Sequence, residues 1–472
     1  MFTPESYTIV ANFFPKLLGL IYFFAFGAFL FQIKGLIGKN GILPLADYLG
    51  WIKKCYPNKY YRIAPTVFWI NSSDTALMIV VGTGTLLSVL LMLGVYPPII
   101  LLLLYLLYLS IITAGQDFLC FGWEGFLLEI TLNTIFLSLS SPPNLMIWIS
   151  INLLLFRFHL QAGAVKLQSG DPNWRNLTAI AYHYQTQPIP NVVAWYMHKL
   201  PMWFHKASTF MMFVFELIVP FAIFGTDAMR LGACIALVGL QWSIWFTGNL
   251  SYLNHLTVVL CTLLVANTYL TPFFDIPPIP EPASWEISTL CNSVGTLFVI
   301  LQVMHLWNHF VPNPLFSLWL QKFSNYFIAN RYGIFAVMTT TRNEIIFEGS
   351  NDGVKWEEYM FCHKPSEITR RPKRVSPYQP RLDWQAWFLP FRHFRHDAWV
   401  RNFLCCLLEG SPEVLALLRV NPFPDAPPRF VRTLMYEYVF STAKEKKEHG
   451  WWWRRYYVGI FTQPICLKKH NQ

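Results

Sequence analysis

The sequence predicts a multi-pass α-helical membrane bundle of about nine spans, followed by a soluble, β-rich α+β domain of β-sandwich character. Two observations carry this. Hydrophobic residues make up 54% of the 472 residues and charged residues only 13%, about half the share usual in soluble chains. The charge is also unevenly spread: residues 331–472 hold 22 Lys/Arg against 14 Asp/Glu, so eight of the ten net positive charges sit in the last 142 residues. The division expected is 1–330 for the transmembrane domain and 331–472 for a basic soluble domain.

Windows 13–31, 76–94, 97–113, 118–140, 144–163, 207–224, 229–247, 253–270 and 288–310 are apolar enough to be spans, since about 20 helical residues cross the hydrocarbon. Glu5 precedes the first window, without a basic n-region or a small-residue cleavage site, so a retained span is expected rather than a signal peptide. A first loop, 34–74, carries Lys34, Lys39, Lys53, Lys54, Lys59 and Arg62. A polar loop follows at 166–206, and a Pro-rich acidic one at 271–286. The count of spans places the first loop, the polar loop and the tail on one side. The positive-inside rule makes that side cytoplasmic.

In the tail, 334–339 and 344–348 read as strands and 349–353 as an Asn/Asp/Gly turn, with 355–362 alternating in and out. Helices are expected at 384–394 and 399–409 and a strand at 429–440.

Ionisable residues inside spans are costly and mark functional or bundle-ordering sites. Glu124, Glu129, Arg157, His159, Glu216, His305 and His309 qualify, with Arg157 a natural partner for one carboxylate. His305 and His309 have metal-ligand spacing but no third ligand, so no metal site is expected. The polar loop packs Asp171, Trp174, Arg175, Tyr182, His183, Tyr184, Gln185 and Gln187 between apolar runs. It is either a loop anchored by its aromatics or a platform for a partner. In the tail, Arg381 and Asp383 with Trp384 and Trp387 suggest an Arg–carboxylate clamp covered by indoles. Of nine cysteines, Cys362, Cys405, Cys406 and Cys466 lie in the tail, where an oxidising compartment would allow pairing. There is no nucleophile elbow, no His-Glu-x-x-His and no phosphate loop. Nothing calls for a cofactor. The tail's positive charge is interleaved with acids, which argues against nucleic acid and fits an acidic partner or a lipid surface.

Gly115-Gln116, Phe118, Phe121, Trp123 and Leu127-Leu128-Glu129 form one block. Arg157, Lys166, Gly170-Asp171-Pro172, Trp174-Arg175 and Tyr182 through Pro188 form a second. Arg342, Glu344, Glu348-Gly349-Ser350, Asp352-Gly353 and Trp356 follow, then Pro377, Gln379 through Trp384, Trp387-Phe388 and Trp452-Trp453-Arg454-Arg455. In this order, from about Gly35 to Phe461, they resemble the lipase maturation factor family. Phe126 and Asp117 depart from the first block. The resemblance implies a multi-pass protein of the endoplasmic reticulum membrane, or of the inner membrane in a bacterium. It implies a non-catalytic helper whose clients are folding intermediates of secreted lipases, contacted through the polar loop and through tail motifs including Trp452, Trp453 and Arg454. It also implies a lumenal tail, against the charge count; long domains translocate largely regardless of charge. The second block is also similar to vitamin K-dependent carboxylases, which would make Lys166 or His183 a base beside a quinone. A transport path along Glu124, Glu129 and Arg157 is a third possibility. Lys468-Lys469 resembles a dilysine signal, and Asn71, Asn176 and Asn249 head glycosylation sequons, of which Asn176 would report a lumenal polar loop.

Overall fold

The computed structural model describes residues 3–274, 283–391 and 398–467. Half of the acidic loop and Lys468-Lys469 lie outside them. Among the described residues, seven helices are long and apolar enough to cross a membrane: Pro4–Phe31, Asp74–Met92, Pro97–Ala114, Leu145–Gln168, Met202–Phe224, Asp227–Thr247 and Trp285–Phe310. Four begin where a side-chain oxygen caps a free backbone N–H. Ser73 accepts from Ala76, Asn144 from Met146, Thr226 from Met229 and Ser284 from Ile287. The first helix lies against Asp74–Met92 through small residues. A Cβ on Gly84 would stand 2.4 Å from the Phe26 ring, and one on Gly19 2.9 Å from the Ser88 carbonyl. Both glycines therefore permit a close helix crossing.

The expected count of about nine is not confirmed: seven long helices are found among the described residues. Gly122–Leu137 has 16 residues and is about 24 Å long; Leu253–Leu264 is a shorter apolar helix again. Both are buried along most of their length. An interior helix is jacketed by protein, so its ends need not reach the headgroups. Their apolar composition places them among the expected spans, and their length is below that of the seven.

Among the described residues of the tail, the strands form antiparallel sheets, and the expected β-sandwich is not confirmed. Strands β1 (Asn343–Ser350), β2 (Glu357–Glu358), β5 (Phe430–Phe440) and β6 (Trp453–Ile465) form one antiparallel sheet in the order β2-β1-β5-β6. β1 pairs with β5 from Asn343↔Glu437 to Ser350↔Phe430. β3 (Met360–Phe361) and β4 (Leu418–Val420) make a separate two-stranded ribbon. A helix, Ala398–Glu409, covers the sheet, with Phe403 against Phe347 at 5.0 Å between ring centroids. A sheet with a helix on its face buries that face without a second sheet.

Residues 334–339 form no strand. Their backbone is taken by side chains of the polar loop: the Trp174 indole N–H donates to the Phe335 carbonyl at 3.1 Å, and the Met338 N–H donates to Asp171 at 2.6 Å. A single apolar core runs from Phe14 and Leu104 of the bundle to Phe347, Trp384 and Trp399 of the tail. Position 331 falls inside this joined body, since Asn330 and Tyr332 hydrogen-bond to Glu129 of the bundle.

Candidate functional site at the bundle–tail seam

The first loop, the polar loop and the tail meet on one face of the bundle. The Asn402 amide donates to the Ile42 carbonyl at 3.0 Å and the Ser411 hydroxyl to the Asn40 carbonyl at 2.7 Å. Buried charges join the parts more tightly. Arg381 and Glu124 form a fully buried ion pair at 2.5 Å. Glu124 also accepts from the hydroxyls of Tyr108 and, at 2.6 Å, Tyr252. The Arg381 guanidinium donates further to the Phe118 carbonyl, while its backbone N–H donates to Gln32, which in turn donates to the Gln379 carbonyl. Trp384 packs edge-on against Trp123, with ring centroids 5.1 Å apart. Asp383 is not the partner of Arg381. It accepts from the backbone N–H groups of His363 and Lys364, and burial pushes its carboxyl up while His363 opposes that shift. The expected internal clamp is thus replaced by an arginine that reaches out of the tail into the bundle.

Arg342 makes the second join. Its guanidinium donates to the carbonyls of Gln185 (2.9 Å), Gln187 and Pro188 (2.8 Å), and pairs with Glu344 at 2.6 Å. Lys364 lies on the other side of the same carboxylate at 3.0 Å. The planar fork suits an array of loop carbonyls that a lysine would satisfy less well.

The polar loop supplies the rest. Gln185 accepts from the Phe440 N–H at 2.9 Å, and Gln187 donates to the Thr247 carbonyl at 2.8 Å. The Trp387 indole donates to the Thr186 carbonyl at 2.8 Å. Trp195 meets Trp452 at 5.5 Å between centroids, Trp453 stacks on Phe440, and Arg454 reaches Glu445 at 3.7 Å. Burial works to raise the Asp171 carboxyl, but the N–H donors of Met338 and Asn173 hold it below the usual range. Of the eight loop candidates, Asp171, Trp174, Tyr184, Gln185 and Gln187 are buried in the seam. His183 is half-buried, and only Arg175 and Tyr182 are exposed.

A separate set of charges braces the bundle itself. Arg157 pairs with Glu129, not Glu124, both fully buried. Glu129 also accepts from the Asn330 N–H at 2.8 Å and the Tyr332 hydroxyl at 2.6 Å. Lys166 pairs with Glu216 at 2.6 Å. Glu216 sits in a π-helical turn, Val214–Ile218, just before Pro220. The residues in this pair were visible as charges, but their pairing across 50 positions was not. Arg230 is likewise buried, bonded to the carbonyls of Ile223 and Leu263.

Among the described residues, no three His, Cys, Asp or Glu side chains stand where they would hold a metal ion. All nine cysteines are free thiols, so the tail carries no disulfide. Of the sequons, Asn71 and Asn176 are exposed. Asn249 is buried, donating to the Ile189 and Lys373 carbonyls and accepting from the Val375 and Ser376 N–H groups.

Comparison with known proteins yields two family matches in the order of the chain. The lipase maturation factor transmembrane domain matches residues 9–272, and the lipase maturation factor C-terminal domain matches residues 328–463. Lipase maturation factor 1 of Homo sapiens is 32% identical over 96% of this chain and 87% of its own. The protein of that name in Mus musculus is also 32% identical, over 96% of this chain and 86% of its own. Lipase maturation factor 2 of Xenopus tropicalis is 29% identical over 93% of this chain and 80% of its own. No solved structure matches.

Proposed function

The chain belongs to the lipase maturation factor family, and from that premise we propose that it is a membrane-embedded helper by which secreted lipases reach their active form. One observation carries this: both halves of the family's architecture are matched in order. The helper performs no bond chemistry of its own. It resides in the endoplasmic reticulum membrane, or in the inner membrane if the source is bacterial, with the seam and tail on the side where secreted clients fold.

The motif residues Arg342, Gln185, Gln187, Arg381 and Trp384 are committed to the seam. We therefore assign client contact to the outer surface they support. The sheet's edge strand β6 exposes Tyr456, Tyr457, Val458 and Ile460. An unpaired edge with apolar side chains suits an extended segment of a partly folded protein.

The test is rescue. The chain is expressed with a dimeric secreted lipase in cells lacking their own maturation factor, and secreted activity per unit of lipase mass is measured. Restored specific activity is expected. Unchanged activity, with the protein confirmed in the membrane, refutes the assignment.

A further inference from the structure

A cavity of about 550 Å³ opens between the polar loop and two spanning helices, Met202–Phe224 and Asp227–Thr247. That volume lies within the range of small-molecule sites, about 300–1,000 Å³. Its walls are mainly apolar, with Phe215, Leu240, Ile244 and Phe335 among them. Trp203 and Met211 line it too and are exposed on the outer face of their helix. A spanning helix turns that face to lipid, so the cavity is reached from the bilayer.

The polar groups in the walls set the chemistry of the occupant. Lys166 is fully engaged: it donates to both Glu216 oxygens and to the Ala162 carbonyl at 3.0 Å. The pair presents no net charge, so neither an anionic nor a cationic head finds a free counter-ion. His183 and Tyr184 also line the cavity, and among the described residues neither the His183 ring nor the Tyr184 hydroxyl has a hydrogen-bond partner. Burial pushes His183 down to about 4, aided by the nearby Lys166 charge, so the imidazole is neutral at physiological pH. These two groups stand at the polar-loop end of the spans, with apolar wall leading away from them. The π-helical turn that places Glu216 is itself a feature enriched at functional sites.

We propose that this cavity binds an uncharged acyl lipid bearing a hydroxyl or ester, its chain entering from the bilayer and its head hydrogen-bonded by His183 and Tyr184. The site is independent of the maturation role. Neither stands or falls with the other.

The test uses full-length protein in phosphatidylcholine nanodiscs with a photoactivatable monooleoylglycerol. Saturable labelling of peptides spanning 203–215 is expected, competed by unlabelled monooleoylglycerol. Ser208→Trp, which fills the cavity, is expected to lower labelling about fivefold or more, whereas Leu102→Trp on a distant exposed face leaves it unchanged. Labelling that is not competed, or that a photoactivatable phosphatidylserine reproduces equally, would overturn the proposal as ordinary boundary lipid. If Ser208→Trp does not fold, the competition and the phosphatidylserine arm on the unaltered protein decide.

Discussion

Glu124 and Glu129 lie five residues apart on one buried helix, and both are fully enclosed. Five residues turn a helix by about 140° from the starting face, and the two carboxylates end in different regions of the molecule. Glu129 faces the bundle interior and meets Arg157, 28 positions along the chain. Glu124 faces the seam and meets Arg381, 257 positions along. The same residue type serves once as a brace between neighbouring helices and once as the socket for another part of the protein. A buried charge in a membrane helix is thus not a signature of a transport path by itself; its partner decides what it does.

Arg381→Ala should have the largest effect, because it leaves the Glu124 carboxylate buried without its cation, a loss of about 3–5 kcal/mol. Thermal unfolding in detergent would read the stability. Peptide-resolved maleimide labelling would read the seam through Cys406, which is buried beside the Gly41 carbonyl. Cys406 should become reactive and lipase activation should fail. Glu124→Leu combined with Arg381→Met should recover much of the lost stability, since an apolar pair leaves no orphan charge.

Glu129→Gln should come next, at about 2–3 kcal/mol, because the amide keeps some of the hydrogen bonds but not the charge. Here Cys406 should stay protected while the melting temperature falls. Equal exposure of Cys406 in both variants would show that brace and socket are one cooperative unit, and the contrast would collapse. Arg342→Lys should cost about 1–2 kcal/mol by losing the forked contacts to the loop carbonyls, with partial exposure of Cys406.

His183 gives a smaller effect with a definite sign. Its folded value of about 4 is below the ordinary value of about 6.5. The stability of the neutral ring is therefore complete above about pH 6.5 and lost as pH falls through that value towards 4. His183→Gln should flatten the melting temperature across that window. Lys355→Ala should change nothing measurable, because its contact with Glu357 lies on the surface at 3.4 Å.

The apolar windows and the isolated charges could be read from the sequence because each is a local property. The partners could not. Glu124 and Arg381 are joined only by the fold, and the acceptors of Arg342 are main-chain carbonyls that no residue type advertises. Residues 334–339 show the same limit: β-branched and apolar, they carry a strand's pattern, yet Asp171 and Trp174 take up the backbone groups that a neighbouring strand would have bonded. The polar loop stood out as more than a connector, but its partners Phe335, Met338 and Arg342 lie more than 150 positions away. In the tail, the strand at 429–440 matched β5 closely, while the Trp452-Trp453-Arg454-Arg455 run opens the long strand β6.

The Glu124–Arg381 joint also imposes an order on biogenesis. Ribosomes add about 5–20 residues per second, so the 257 positions between the two residues correspond to a wait of roughly 13–50 s. Throughout that interval Glu124 is within a nascent bundle without its cation; Tyr108 is already made, and Tyr252 follows 128 positions after Glu124. Synthesis of the tail is what ends this exposure. A chain cut short anywhere before Arg381 would lack the cation that Glu124 meets in the folded protein.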